Sequence, residues 1–247
     1  MNRTTASQLY FGRERGAEPM AAQAFEDAVV RRAAGEPMAY LLGSTGFRQL
    51  DLRCDRRALI PRPETEGLVD LALARVRTGR ALDLGTGTGC LALALAQEGE
   101  FSEVVATDLS ADALALAGEN AALTGLPVRL IHSDLGAALS RERFDLVVSN
   151  PPYLSAPEYA SLDESVKAWE PAMALVSGAD GLAVTRRMLV EAPSLVVPGG
   201  WLVMELDSTR SAAVAGDAVR AGWTDIDVHD DLFGRPRYLT ARRGLAE

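Results

Sequence analysis

Residues for redox or metal chemistry are scarce in this chain. Its 247 positions include two cysteines, Cys54 and Cys90, and two histidines, His132 and His229. Two cysteines make neither a disulfide framework nor a zinc site. A reduced, cytoplasmic setting is therefore expected, with no metal. Neither histidine shows a spacing that would pair it with a cysteine as base and nucleophile. No apolar run reaches about 18 residues, so no transmembrane helix is indicated. The N-terminus lacks the basic-then-apolar order of a secretion signal. Internal repeats and low-complexity tracts are missing too. Lys167 is the only lysine and every other basic side chain is arginine, a bias of genome composition rather than of function. The net charge of -9 argues against a protein that grips nucleic acid through its phosphates, since such binders carry a basic face.

What remains is ordinary soluble composition, 48% hydrophobic and 24% charged, in a chain long enough for one large domain and a small appendage. Residues 1–35 read as a short helical segment rich in Ala, Arg and Glu. Residues 36–64 read as a connector, in which Gln49 to Ile60 could form a hairpin and Pro61-Arg62-Pro63 is stiff because proline fixes its own dihedral and restrains its predecessor. The main domain spans 65–247. An amphipathic helix over Glu64 to Arg77 leads into it. From Arg80 onward, apolar strands alternate with helices: Ala81–Leu84, Val104–Ala106, Val128–Ile131, Phe144–Val148 and Trp201–Glu205 as strands, then Asp225–Val228 and Tyr238–Ala241 as a terminal antiparallel pair. The intervening helices are Leu91–Gln97, Ala111–Leu123, Gly181–Val196 (broken near Pro193) and Ser211–Ala221. The alternation predicts an α/β, Rossmann-like fold with a mostly parallel, seven-stranded sheet and a terminal antiparallel strand.

In such sheets ligands bind at the carboxyl ends of the strands, and that is where the notable residues fall. Asp83-Leu84-Gly85-Thr86-Gly87-Thr88-Gly89 ends the first parallel strand. Alternate glycines allow a tight turn and close approach of a ligand to bare backbone. Asp83 can receive an ammonium or organise the loop. Asp108, about 20 residues past the turn, can accept both hydroxyls of an adenosine ribose; Ser110 is the better candidate to cap the next helix. Asp134 ends the third strand and could lie beside an adenine. These features suit S-adenosylmethionine, although a glycine turn followed by an acid also suits a dinucleotide.

Asn150-Pro151-Pro152-Tyr153 discriminates between the two. The asparagine side chain offers an acceptor, the Pro151 carbonyl offers a second, and two prolines keep the loop stiff, with Tyr153 as an aromatic wall. A planar NH2 group fits there with its nitrogen turned toward a methyl sulfonium. No strong general base is needed, since the proton can leave after transfer. The residues therefore point to methyl transfer from S-adenosylmethionine to nitrogen.

Further stretches carry a specific resemblance: Gly35-Glu36-Pro37-Met38-Ala39-Tyr40-Leu41-Leu42-Gly43, Leu59-Ile60-Pro61-Arg62-Pro63-Glu64-Thr65-Glu66, Trp169-Glu170-Pro171 with Ala174-Leu175, and Gly178-Ala179-Asp180-Gly181-Leu182. Over roughly residues 35 to 243 the chain resembles the HemK/PrmC family of protein-(glutamine-N5) methyltransferases. That family methylates the glutamine of the Gly-Gly-Gln motif in class 1 peptide chain release factors. The resemblance implies that Gly85, Thr86, Gly87, Thr88, Gly89 and Asp108 contact S-adenosylmethionine. It puts Leu135, after Asp134, where the family often has an aromatic beside the adenine. Asn150, Pro151, Pro152 and Tyr153 would hold the substrate amide, Arg62 and Glu64 would shape the mouth of the site, and Glu205 and the stretch from Asp231 to Arg237 would be structural. The implied enzyme is a cytoplasmic monomer with a release factor as partner and no membrane role. There are two departures: a shortened N-terminal region, with about 35 residues before the family pattern begins, and Glu205-Leu206-Asp207-Ser208-Thr209-Arg210 in place of a glutamate-isoleucine-glycine with a nearby glutamine. Two other readings share the tetrapeptide: an adenine-N6 methyltransferase acting on DNA or RNA, where the same loop holds a flipped base, and a paralogue methylating another protein.

Overall fold

The computed structural model describes residues 19–245. It opens with α1 (Pro19–Ala33) and the short α2 (Met38–Leu42), which ends at Gly43 in the left-handed conformation. The helix expected over 1–35 is present in its described part; residues 1–18 lie outside the described residues. A two-stranded hairpin follows, β1 (Ser44–Phe47) and β2 (Leu50–Arg53). It pairs Ser44 with Arg53 and Phe47 with Leu50, so it lies upstream of the hairpin expected over Gln49 to Ile60. The apolar alternation explains the shift: this register buries Phe47, Leu50 and Leu52 on one face, and a one-residue slip would turn them outward. Residues 54–62 instead form an irregular strap. It ends in a 3-10 turn over Pro63–Thr65 that leads into α3 (Glu66–Arg75).

The sheet has seven strands. In chain order these are β3 (Thr78–Leu84), β4 (Glu100–Asp108), β5 (Arg129–His132), β6 (Phe144–Ser149), β7 (Val196–Glu205), β8 (Trp223–Asp230) and β9 (Pro236–Arg243). Their spatial order is β5-β4-β3-β6-β7-β9-β8. β3 to β7 run parallel, and β9 is antiparallel to both of its neighbours. The expected sheet is therefore the observed one, with the reversed strand inserted between β7 and β8. The crossover helices are α4 (Cys90–Glu98), α5 (Ala111–Thr124), α8 (Ala183–Glu191) and α9 (Ser211–Arg220). Two short helices the sequence reading did not predict, α6 (Ala156–Ser161) and α7 (Glu164–Lys167), sit between β6 and α8. The break expected near Pro193 is present: the helix ends at Glu191 and gives way to a 3-10 turn over Ala192–Ser194, because Pro193 cannot supply a helical N–H.

Side chains alternate across the strands and build a core on each face. Leu82, Val147, Leu202 and Met204 pack with α8 and α9 on one side. Ala81, Leu146, Val148 and Val203 pack with α3 and α4 on the other. The strand order reverses between β3 and β6. A crevice opens there at the carboxyl ends, and it receives Gly85, Asp108, Ser133 and Asn150.

Candidate active site

β3 delivers its last residues into a turn held by the neighbouring strand: the N–H groups of Gly85 and Thr86 both donate to the Thr107 carbonyl at 2.9 Å. Gly85 and Gly87 have φ of 74° and 56°, a region L side chains disfavour. A Cβ built on Gly85 would stand in open space, and one on Gly87 would meet only Ala58 at 3.9 Å, so both present bare backbone to the crevice. Gly89 differs: a Cβ there would come within 3.3 Å of Ala117 and Leu93, which makes it a packing glycine.

Asp83 lies below the turn, fully buried. Its Oδ2 accepts from the Thr86 hydroxyl at 2.6 Å and from the Ala92 N–H at 3.2 Å. Its Oδ1 is buried without a partner. Burial pushes the carboxyl up to about 7, opposed by the Thr86 and Ala92 bonds. Asp83 thus braces the glycine turn from below, and the bare backbone above it faces the crevice.

Asp108 ends β4 at the rim. Its Oδ2 accepts from the Gly87 N–H at 2.9 Å and its Oδ1 from the Ser110 N–H at 2.8 Å. The carboxylate is thus fixed in direction, with lone pairs remaining on both oxygens for two hydroxyls. Ser110, not Asp108, caps α5, accepting from Ala113 N–H at 3.2 Å. Asp134 and Leu135 line the same crevice. Asp134 pairs with Arg187 at 3.1 Å, and both are about half exposed. Leu135 takes a left-handed backbone, φ 48°, and packs against the core.

The opposite wall comes from β6 and residues far along the chain. Asn150 is half-buried, and its Nδ2 donates to the Thr65 hydroxyl oxygen at 3.1 Å. The Thr65 hydroxyl in turn donates to Glu205 Oε2 at 2.7 Å. Thr65 and Glu205 are 2% and 1% exposed. Downstream of Tyr153 the loop is pinned as a strand would be: Leu154 N–H donates to Leu175 O at 2.9 Å and Ser177 N–H to Leu154 O at 2.8 Å. A Cβ on Gly181, φ 79°, would fall 2.5 Å from the Tyr153 carbonyl, so a glycine is needed for this approach. Arg62 lines the crevice and pairs with the nearly buried Glu170 at 2.7 Å. Glu170 also accepts from the Ile60 N–H at 3.2 Å, which straps residues 54–62 over the opening. Glu64 does not line the crevice; its carbonyl accepts from the Tyr238 hydroxyl.

The crevice, about 210 Å³, brings together Arg62, Gly85 to Thr88, Asp108, Asp134, Leu135, Asn150 and Pro152. Asp83, Gly89, Pro151, Tyr153 and Glu64 stand behind or beside this lining. Sequence reasoning missed Thr65 and Asn120. Asn120 accepts from Arg53 N–H at 2.7 Å and donates to the carbonyls of Arg53 at 3.1 Å and Thr88 at 2.9 Å, so it ties β2 to the glycine turn. Its one sequence signal is a polar residue in the buried Ala113, Leu116, Ala117 stripe of α5. Two groups with nucleophilic or basic atoms are neutral near pH 7: burial pushes the Cys90 thiol and the Tyr153 hydroxyl each up to about 12.

A sheet with one reversed strand, a glycine turn and an asparagine-proline-proline-tyrosine loop at its switch point defines a nitrogen-directed methyltransferase of the Rossmann-like class. The model of the methyltransferase small domain matches residues 65–166, and that of the PrmC N-terminal domain matches residues 2–43. Solved structures agree in fold. A methyltransferase from Pyrococcus furiosus superposes with a TM-score of 0.60 at 19% identity, covering 81% of this chain and 92% of that one. A ribosomal protein L11 methylase from Lactobacillus delbrueckii subsp. bulgaricus gives 0.57 at 22%, covering 80% and 95%. Sequence relatives are far nearer. The release factor glutamine methyltransferase of Deinococcus radiodurans is 46% identical over 246 residues, 98% of this chain and 86% of the relative. That of Cereibacter sphaeroides is 46% identical over 91% of this chain and 81% of the relative. The chain belongs to the release factor glutamine methyltransferase family.

Proposed function

We propose that this chain transfers a methyl group from S-adenosylmethionine to the side-chain nitrogen of a protein glutamine, the Gly-Gly-Gln glutamine of a class 1 release factor. The observation that carries the site assignment is the Asn150 carboxamide: its NH2 end is taken by Thr65, which leaves its oxygen for an acceptor in the same crevice as the glycine turn.

S-adenosylmethionine supplies an electrophilic methyl group when bound. Gly85 and Gly87 backbone, in the turn that Asp83 braces from below through Thr86 and Ala92, would hold its amino-acid end, and Asp108 its ribose. Asp134 and Leu135 would border the adenine. Asn150 Oδ1 and the Pro151 carbonyl accept the two hydrogens of the glutamine amide and orient its nitrogen, and Tyr153 walls the acceptor. Arg62, fixed by Glu170, shapes the entrance. An amide nitrogen is a poor nucleophile, so positioning and water exclusion dominate the rate. The two accepted hydrogen bonds strengthen as the nitrogen gains positive charge. The N–H proton leaves to solvent once the N–C bond has formed; Tyr153 and Cys90, both still protonated near pH 7, do not take it. A release factor substrate would put the enzyme in the cytoplasm. Among the described residues no helix is long and apolar enough to cross a membrane.

The test is a transfer assay with labelled S-adenosylmethionine and purified release factor, beside its Gly-Gly-Gln variant carrying alanine for glutamine. Label on the wild-type factor alone is expected. Equal label on both, or label only on nucleic acid, would contradict the reading.

A further inference from the structure

Glu205 ends β7, on the far side of β6 from the glycine turn, and is 1% exposed. Among the described residues, the one side-chain hydrogen bond it makes is that accepted from Thr65 at 2.7 Å. The Thr65 hydroxyl has one proton, and an ionised Glu205 takes it. Only lone pairs then remain on Thr65 Oγ1, so Thr65 can receive the NH2 end of the Asn150 carboxamide but not its oxygen. The 3.1 Å contact from Asn150 Nδ2 is that arrangement. We infer that Glu205, through Thr65, decides which way round the Asn150 carboxamide sits, and is thereby a positioning residue for the methyl acceptor. This rests on the reading above, in which Asn150 Oδ1 receives a glutamine NH2.

The reverse state follows from the same proton count. A protonated Glu205 can donate to Thr65, whose own proton then turns toward Asn150 and selects the flipped amide. The flipped amide would present NH2 to the substrate's NH2, two donors facing each other. Burial pushes Glu205 up to about 7, with Thr65, Arg237 and Arg62 drawing it down and Glu64 pushing it up. The other titratable groups in its field are Tyr153, Tyr238 and Cys90. Burial lifts each of these three to about 12, so they stay neutral while Glu205 titrates. The relay therefore holds the productive amide above about pH 7 and releases it below.

Two measurements test this. The first needs no substrate: the side-chain NH2 resonances of Asn150, identified by their loss in Asn150→Ala, are followed by NMR from about pH 5.5 to 9. They are expected to shift with a midpoint near that of Glu205 in the wild type and to stay flat in Glu205→Gln and Thr65→Val. The second is kcat at saturating cofactor over the same range. The wild type is expected to lose activity toward low pH. Thr65→Val should lose roughly tenfold or more at every pH with cofactor affinity retained, Thr65→Ser should recover most of that, and Glu205→Gln should lack the acid limb. Resonances that titrate alike in wild type and Glu205→Gln, or a Thr65→Val enzyme with undiminished kcat, would overturn the relay. The glutamine assay separates the two claims. Label on glutamine with no titration of Asn150 refutes the relay and leaves the substrate reading standing. Titration of Asn150 with no label on glutamine supports the relay and refutes the substrate reading.

Discussion

The glycine turn draws its parts from residues 83 to 89 and from the end of the strand beside it, with Thr86 bonded to Asp83 three positions away and Gly87 to Asp108 twenty-one positions away. The Asn150 loop is held by Thr65, 85 positions distant, and Thr65 by Glu205, 140 positions distant. One wall of the crevice is thus a local product of strand, glycine and helix start. The other is a product of tertiary packing. The first can form wherever β3 and β4 pair. The second requires the strap, α3, β6 and β7 to be in place together.

The largest effect should come from breaking the packed wall. Asn150→Ala is expected to lower kcat by about 10²- to 10³-fold, the range seen when one oriented hydrogen-bonding group is lost from an electrostatic site. Steady-state kinetics at saturating S-adenosylmethionine would measure it. Breaking the local wall gives a different signature: Asp108→Ala should weaken cofactor binding by roughly 10- to 100-fold, two lost hydrogen bonds at about 1 kcal/mol net each, with kcat at saturation little changed.

This difference between the walls also governs what the sequence discloses. The glycine spacing, the position of Asp108 after its strand and the rigid tetrapeptide each lie within a few residues of the element that presents them, so pattern and chemistry coincide. The sheet was legible for the same reason, since each parallel strand holds a short, mostly apolar stretch and ends in a turn or loop. The hairpin expected over Gln49 to Ile60 was displaced because the burial of Phe47, Leu50 and Leu52 decided its place. Thr65 carried no local sign of its contact with Asn150: the threonine sits inside a proline-rich element and meets its partners only when β6 and β7 pair. Glu205 carried only a place in a segment resembling the family's, with no sign of the hydroxyl it would meet.

A residue that joins the walls should show an intermediate effect. Asn120→Ala removes three hydrogen bonds, two part-buried ones to the Arg53 backbone and a buried one to the Thr88 carbonyl. It should destabilise the chain by about 1–3 kcal/mol, read as a lower urea midpoint with an unchanged m-value, and weaken cofactor binding more than turnover.

The smallest effect is one of pH. Asp83 and Glu205 are both held near 7 by burial, above their ordinary carboxylate values. These two groups bind more protons in the folded chain than in the unfolded one between about pH 4 and 7, so their own contribution to the stability of the ligand-free enzyme falls as pH rises through that window. Their contribution is fully present below the unfolded value and lost above about 7. Asp83→Asn should flatten part of the slope in a series of thermal melts.

The separation of the two walls is tested most directly by titrating S-adenosylmethionine calorimetrically into the Asn150→Ala enzyme. A dissociation constant within about twofold of wild type, in a protein that no longer turns over, is the predicted result. Loss of cofactor affinity in proportion to the loss of turnover would mean that Asn150 belongs to the cofactor wall and that the division drawn between the two is wrong.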